Sequence, residues 1–248
     1  MDYIDYPWLM LGDCLERMKE IPDGSVDMIL ADLPYGTTAC KWDVIIPFEP
    51  LWKQYRRILK SNGVVALFGS EPFSSCVRFS NLQEYKYDWI WKKDLAANFL
   101  NANRQPLKHS ETISIFYNKQ PTYNPQKWQS LPMHTVKKRG VPNDNIHGIV
   151  KTKQYGGETL RFPSNIIEIK SIRGNSKTKT KHPTQKPVAL LEYLIKTHTN
   201  EGEIVLDNVM GSGSTGVACI NINRKFIGIE KDEKYYNISK QRIKGGLA

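Results

Sequence analysis

Ile204-Val205-Leu206-Asp207 runs into Gly211-Ser212-Gly213-Ser214-Thr215-Gly216 and then into a helix-forming stretch. An apolar strand, a glycine turn and a helix in that order constrain the fold more than any other feature of the chain. Glycine permits the tight turn and lets a ligand approach the main chain closely, and the helix start offers free N–H groups. About twenty residues on, Phe226-Ile227-Gly228-Ile229 reads as the next strand and ends at Glu230, where a carboxylate can accept hydrogen bonds from ribose hydroxyls. The loop is not a phosphate-binding loop of the GxxxxGK[ST] kind, because Val217 stands where lysine is needed. Taken alone, the loop also suits an NAD site.

A second motif lies upstream. Val26–Ala31 reads as a buried strand that carries Asp32-Leu33-Pro34-Tyr35 to the C-terminal edge of a sheet, the edge at which open α/β folds bind ligands. The Asp32 carboxylate can accept a hydrogen bond from an exocyclic amine. Leu33 is held extended by the proline that follows it, so its carbonyl can accept a second. Two acceptors on both N–H bonds turn the nitrogen lone pair out of conjugation with its ring and towards an electrophile. Tyr35 offers a stacking face.

Between and around these motifs, apolar runs alternate with helix-like stretches. Strands are predicted at Trp8–Leu11, Val26–Ala31, Val64–Phe68, Tyr87–Trp91, Thr112–Tyr117, Ile204–Leu206 and Phe226–Ile229. Helices are predicted at Cys14–Ile21, Phe48–Leu59 (ended by Ser61-Asn62-Gly63), Pro72–Asn81, Thr184–His198, Thr215–Ile222 and Glu233–Ile243. This alternation predicts an α/β fold, Rossmann-like, with a mostly parallel seven-stranded sheet. Residues 119–180 break the pattern with prolines, glycines and lysines, which predicts an insertion between an α/β domain formed by 1–118 and 181–248.

Charge follows the same division. Lys119–Lys186 holds 14 Lys and Arg against 3 Asp and Glu, whereas the rest of the chain is almost neutral, so the net +10 sits in one segment. A concentrated positive surface with Trp128, Tyr155 and Phe162 among the basic residues suits a polyanion with stackable bases. Four cysteines (Cys14, Cys40, Cys76 and Cys219) form no CxxC pair and lie near no histidine cluster, so neither a metal site nor a disulfide framework is expected. With no span-length apolar run and no signal pattern, a cytoplasmic location away from any membrane is expected.

With these residues in place, the chain resembles the β group of S-adenosylmethionine-dependent DNA amino-methyltransferases, which act on adenine N6 or cytosine N4. The resemblance covers nearly the whole chain. Asp32-Leu33-Pro34-Tyr35 resembles the family's catalytic motif and Asp207-Asn208-Val209-Met210-Gly211-Ser212-Gly213 its cofactor loop. The catalytic motif comes first, a permuted order, with a variable basic segment between. Leu11-Gly12-Asp13-Cys14 resembles the strand end near the cofactor's adenine, and Lys181-His182-Pro183-Thr184-Gln185-Lys186-Pro187 the helix entry at its methionine end.

The resemblance implies a catalytic site at Asp32, Leu33, Pro34 and Tyr35. It implies a cofactor site at Asp13, Cys14, Lys186, Asp207, Met210, Gly211, Ser212, Gly213 and Glu230. The target base must leave the duplex to reach such a pocket. The insertion would then recognise double-stranded DNA, with Lys137, Lys138 and Arg139 as candidate phosphate contacts. Leu33 departs from the family's first proline, and Asn208-Val209 departs from Pro-Phe in the loop. Gly36-Thr37-Thr38-Ala39-Cys40-Lys41-Trp42-Asp43 resembles phage and prophage enzymes that stand without a partner nuclease, and no nuclease domain is expected in this chain, a monomer or homodimer. Aspartate at the head of the motif points to adenine N6. Cytosine N4 is the alternative, and an NAD-dependent oxidoreductase using the glycine loop is a remoter one.

Overall fold

The computed structural model describes residues 5–37, 43–131, 159–172 and 185–245. The chain divides into two compact units, one of Met1–Asn124 with Asn165–Ala248 and one of Pro125–Ser164. In the larger unit the chain begins with β1 (Trp8–Leu11), α1 (Cys14–Arg17) and β2 (Val26–Ala31). It continues through α2 (Phe48–Ile58), β3 (Leu59–Gly69), α3 (Phe73–Ser80), β4 (Tyr85–Ala97) and β5 (Lys108–Phe116). The smaller unit holds a two-stranded antiparallel ribbon of β6 (Trp128–Gln129) and β7 (Leu160–Arg161). The larger unit resumes with β8 (Ile166–Glu168), α4 (Val188–His198), β9 (Ile204–Asp207), α5 (Ser214–Asn221), β10 (Lys225–Glu230) and α6 (Glu233–Gly245).

The sheet order is β1-β10-β9-β2-β3-β5-β4-β8. All neighbours pair in parallel except β5, which is antiparallel to both β3 and β4. The α/β class and the mostly parallel sheet agree with the sequence reading, but the sheet has eight strands and not seven. The extra edge strand is β8, whose Ile166, Ile167 and Glu168 pair with Ile90, Trp91 and Lys92. Ile167 is buried there, and the Trp91 indole donates to the Ile169 carbonyl at 2.8 Å. Residues within the expected 119–180 insertion thus complete the sheet, because a three-residue segment, Ile166-Ile167-Glu168, too short to register as a strand found an open edge.

Alternation along the strands builds two apolar layers. Met28 and Leu30 point to the face covered by α4, α5 and α6, where they meet Leu190, Leu194, Val217 and Ile243. Ile29 and Ala31 point to the face covered by α1, α2 and α3, where they meet Leu51, Tyr55, Ile58 and Phe73. Each fully buried large aliphatic side chain stabilises the fold by about 1.5–3 kcal/mol, so the register of β2 is fixed from both sides. Two local details differ from expectation. The stretch Cys14–Ile21 is one short helix followed by a 3-10 turn at Met18–Glu20. Ser61-Asn62-Gly63 does not end a helix. α2 stops at Ile58, and residues 60–63 bulge within β3, between the pairs Val26–Leu59 and Met28–Val64.

Candidate active site

The connections that leave β2 and β9 diverge. β2 leads through α2 on one face to β3, and β9 leads through α5 on the opposite face to β10. The adjacent strands β2 and β9 therefore flank a topological switch point, the place where an open α/β sheet leaves a crevice at its C-terminal edge. Asp32 follows the end of β2, Asp207 ends β9 and Glu230 ends β10. A cavity of about 920 Å³ opens there. Its walls include Asp13, Cys14, Asp32, Leu33, Pro34, Tyr35, Lys186, Asp207, Met210, Gly211, Ser212 and Glu230. Residues more than 190 positions apart in the chain thus share one wall.

On the β2 side, both carboxylate oxygens of Asp32 accept hydrogen bonds. The Tyr35 hydroxyl donates to Oδ1 at 2.7 Å, and the Lys186 ammonium donates to Oδ2 at 2.5 Å. Each oxygen retains a lone pair for a further donor. The Tyr35 ring stacks on Phe73 at 4.7 Å, which fixes its plane. Burial and the neighbouring Asp32 push its hydroxyl pKa well up, so it stays a donor. The main chain of the turn is closed by Asp43, which accepts from the Gly36 and Thr37 N–H groups at 2.8 and 2.9 Å.

Lys186 is the less expected neighbour. It enters from just before α4, is 9% exposed, and lies 3.2 Å from Glu111 Oε2 on β5 and 5.1 Å from the Phe68 ring centre. Glu111 pairs in turn with Lys93 on β4. Burial alone would lower the pKa of Lys186, but Asp32 and Glu111 outweigh it and hold the ammonium charged. Burial would likewise raise the pKa of Glu111, yet Lys186 and Lys93 together bring it below the ordinary value. Asp32, Lys186, Glu111 and Lys93 form a chain of alternating charge along the cavity wall. Neither Glu111 nor Lys93 was legible as a site residue, since no motif surrounds them.

The β9–β10 side is held by the main chain. Glu230 accepts from the Gly211 and Asp232 N–H groups, both at 2.8 Å, and so ties the glycine loop to the end of β10. Asp207 accepts from the Val209 N–H at 3.1 Å and the Thr215 hydroxyl at 2.6 Å, and its burial pushes its pKa up to about 7. Gly211 has φ 51°, a conformation that favours glycine. Gly213, at φ 78°, does not line the cavity. A Cβ there would meet Ser239 at 2.8 Å, so this glycine lets α5 pack against α6. From α6, Arg242 donates to the Ser212 carbonyl at 2.5 Å, a support for the loop that no motif announces.

Asn208 departs from the family's proline and has a defined partner. The Tyr55 hydroxyl donates to its Oδ1 at 2.7 Å. Among the described residues its Nδ2, buried beside the cavity, meets no nitrogen or oxygen acceptor, only the Cys14 sulfur. Asp13 caps α1 through the Leu15 N–H at 3.0 Å and lies 3.3 Å from Lys231. Next to it the Cys14 thiol is pushed up to about 11, chiefly by burial, so it is an un-ionised wall residue. Lys137, Lys138 and Arg139 lie outside the described residues.

S-adenosylmethionine, a cation with a ribose and an adenine, fits this donor and acceptor set. Three acidic side chains (Asp13, Asp207 and Glu230) line the cavity and can accept from hydroxyls or offset a positive charge. The buried Asn208 amide, which meets no nitrogen or oxygen acceptor among the described residues, has a donor to offer. Among the described residues, no helix is long and apolar enough to cross a membrane.

Similarity to known proteins bears on the family and the fold. The N6/N4 methylase family, described as DNA methylase, matches residues 26–241. The type II methyltransferase M.HpaI of Haemophilus parainfluenzae is 29% identical over 95% of this chain and 73% of its own length. The DNA adenine methyltransferase YhdJ of Escherichia coli (strain K12) is 30% identical over 94% of this chain and 81% of its own. The crystal structure of the M1.HpyAVI–SAM complex superposes with a TM-score of 0.64 at 27% identity, over 95% of this chain and 98% of that one. The cytosine-N4-specific PvuII DNA methyltransferase shares the fold, with a TM-score of 0.65 at 15% identity, over 95% of this chain and 89% of that one. With its acidic crevice at the switch point and a family match that reaches from β2 into α6, the chain belongs to the S-adenosylmethionine-dependent N6/N4 DNA methylases.

Proposed function

We propose that this enzyme methylates the N6 amino group of adenine at a specific site in double-stranded DNA, after the base is flipped out of the helix. The observation that carries the reading is the Asp32–Tyr35 turn at the wall of the cavity, with a carboxylate held in place by Tyr35 and Lys186. S-adenosylmethionine supplies an electrophilic methyl carbon when bound. Asp32 and the Leu33 carbonyl accept the two N–H bonds of the target amine and bring its lone pair out of the ring plane. The lone pair so freed is the electron pair that would take up the methyl carbon, with sulfur keeping the electrons of the bond it gives up. The methylated nitrogen, momentarily cationic, releases a proton towards the Asp32 carboxylate and on to solvent. Tyr35 and Pro34 offer the flipped base a surface to rest on. Asp13, Cys14, Lys186, Asp207, Met210, Gly211, Ser212, Gly213 and Glu230 form or support the cofactor site, with Glu230 on the ribose.

Adenine is favoured over cytosine because Asp heads the motif, and because YhdJ, named an adenine methyltransferase, is 30% identical over most of both chains. The 119–180 segment is the target-recognition insertion, with Lys137, Lys138 and Arg139 on phosphates. The enzyme acts as a monomer or homodimer in the cytoplasm of a bacterial or phage-infected cell. Incubating genomic DNA with labelled S-adenosylmethionine, digesting it to nucleosides and sequencing the methylated sites tests the reading. N6-methyladenine is expected. N4-methylcytosine as the labelled product refutes the base assignment.

A further inference from the structure

The β4–β5 hairpin carries a group of exposed apolar side chains beyond residues that line the cavity. Phe99 is 74% exposed and Leu100 87%, both in a single 3-10 turn that follows Asn98, whose φ is 69°. Leu95 and Leu107 are exposed on the same hairpin. Large apolar side chains exposed together at a tip mark a contact surface more often than scattered single ones do.

Position decides what that surface meets. β4 runs in the same direction as β2, β9 and β10, so its last residue, Ala97, lies at the sheet edge where Asp32, Asp207 and Glu230 lie. Lys93 and Ala97 of this hairpin line the cavity itself. The tip beyond Ala97 therefore lies at the same sheet edge as the cavity and directly follows residues of its wall. Its charge fits the same partner. Between Lys92 and Ser110 the only acid is Asp94, which accepts from the Ser171 N–H at 2.7 Å. Arg104 and Lys108 are exposed on the tip and form no ion pair among the described residues.

We propose that Phe99 and Leu100 form a wedge that enters the DNA stack at the gap left by the flipped base, with Arg104 and Lys108 on the flanking phosphates. Apolar side chains placed between base steps hold an unstacked geometry open. A base already out of the stack needs no such help. This inference rests on the proposed base-flipping reaction and predicts a dependence that the reaction alone does not.

The test compares two substrates that carry the mapped methylation site. In one, the target adenine pairs with thymine. In the other it faces an abasic position, so it is unpaired beforehand. For the surface variant Phe99→Ser/Leu100→Ser, single-turnover methylation of the paired duplex should fall by about tenfold or more, while the unpaired target is methylated within about threefold of the unmodified enzyme. With 2-aminopurine at the target position, the fluorescence rise on binding should be lost in the variant. Equal losses on both substrates, or no loss on either, overturn the wedge and leave the reaction standing. A variant that changes from dimer to monomer by light scattering, with the duplex preference unchanged, assigns the tip to self-association and overturns it too. An unmodified enzyme that methylates neither substrate overturns the reaction reading and the wedge together.

Discussion

Asp32 and the Lys186 ammonium that donates to it should give different consequences when each is removed. Asp32→Ala is expected to abolish turnover with S-adenosylmethionine affinity kept, measured by calorimetry beside a methylation assay. Retention of more than about a tenth of activity would cost the barrier less than roughly 1.4 kcal/mol, too little for the role assigned to it. Lys186→Met leaves Asp32 and Glu111 without the cation between them. Turnover should fall by about ten- to a hundredfold, the scale for one misplaced catalytic contact, with a smaller change in cofactor affinity. An effect confined to cofactor affinity would instead place the Lys186 charge on the cofactor's methionine end. Lys186 was legible from its motif, but its contact with Asp32 was not. The two residues lie 154 positions apart, and only the packing of α4 beneath β2 and β3 brings them within 2.5 Å.

At the scale of elements, the glycine loop does two jobs that its motif writes as one. Gly211 faces the cavity, whereas Gly213 and Gly216 face α6. A Cβ on Gly216 would lie 2.5 Å from Ile243. Gly213→Ala combines a left-handed backbone with contact against Ser239, and should lower stability by about 1–3 kcal/mol in urea titrations. Glu230→Ala should weaken S-adenosylmethionine binding by about 1–3 kcal/mol, the scale for losing charge-assisted hydrogen bonds, and leave non-specific DNA binding nearly intact. Unchanged cofactor affinity by calorimetry would remove Glu230 from the ribose. Its carboxylate also braces the loop through the Gly211 N–H, so Glu230→Gln, which keeps an acceptor, should lose less than the alanine variant.

Two buried groups couple the stability of the whole molecule to pH in opposite senses. His198 is buried, which lowers its pKa from 6.5 to about 4. Between those values the unfolded chain binds a proton that the native chain does not, so acidification destabilises the fold, by about 2 kcal/mol on reaching pH 5. Asp207 behaves in reverse. Its pKa rises from 3.8 to about 7 on folding, so the native chain binds the extra proton and acidification through that window stabilises the fold by a similar amount. In the cofactor-free wild type the two terms nearly cancel between pH 7.5 and 5. Denaturant titrations of Asp207→Asn should show stability falling towards pH 5, and His198→Leu should show it rising. Parallel pH curves for both variants would contradict these assignments. At the same scale, neutralising Lys137, Lys138 and Arg139 should weaken binding equally for target and non-target DNA, and should flatten the salt dependence by a slope of about 0.9 per lost phosphate contact. A loss confined to target DNA would place these residues on base edges.

What the sequence determined by itself was whatever depends on neighbours along the chain. Alternating and continuous apolar runs placed β1, β2, β9 and β10 to within a residue or two, because strand burial imprints a period on composition. Asp32–Tyr35 and Gly211–Gly213 were legible because turns need particular backbone freedoms, and those leave glycine and proline behind. Only the tertiary structure decided matters that depend on distant partners. β8 became a strand because β4 presented an open edge, not because Ile166–Glu168 are unusual in composition. Glu111 and Lys93 joined the site because β5 runs antiparallel between β3 and β4, which sets its start beside the ends of its parallel neighbours. Tyr55 reached Asn208 from 153 positions away because α2 packs over β2 and β9. Hydrogen bonds and ion pairs across a core carry no period and leave no local composition, so they become visible only when the sheet brings their ends together.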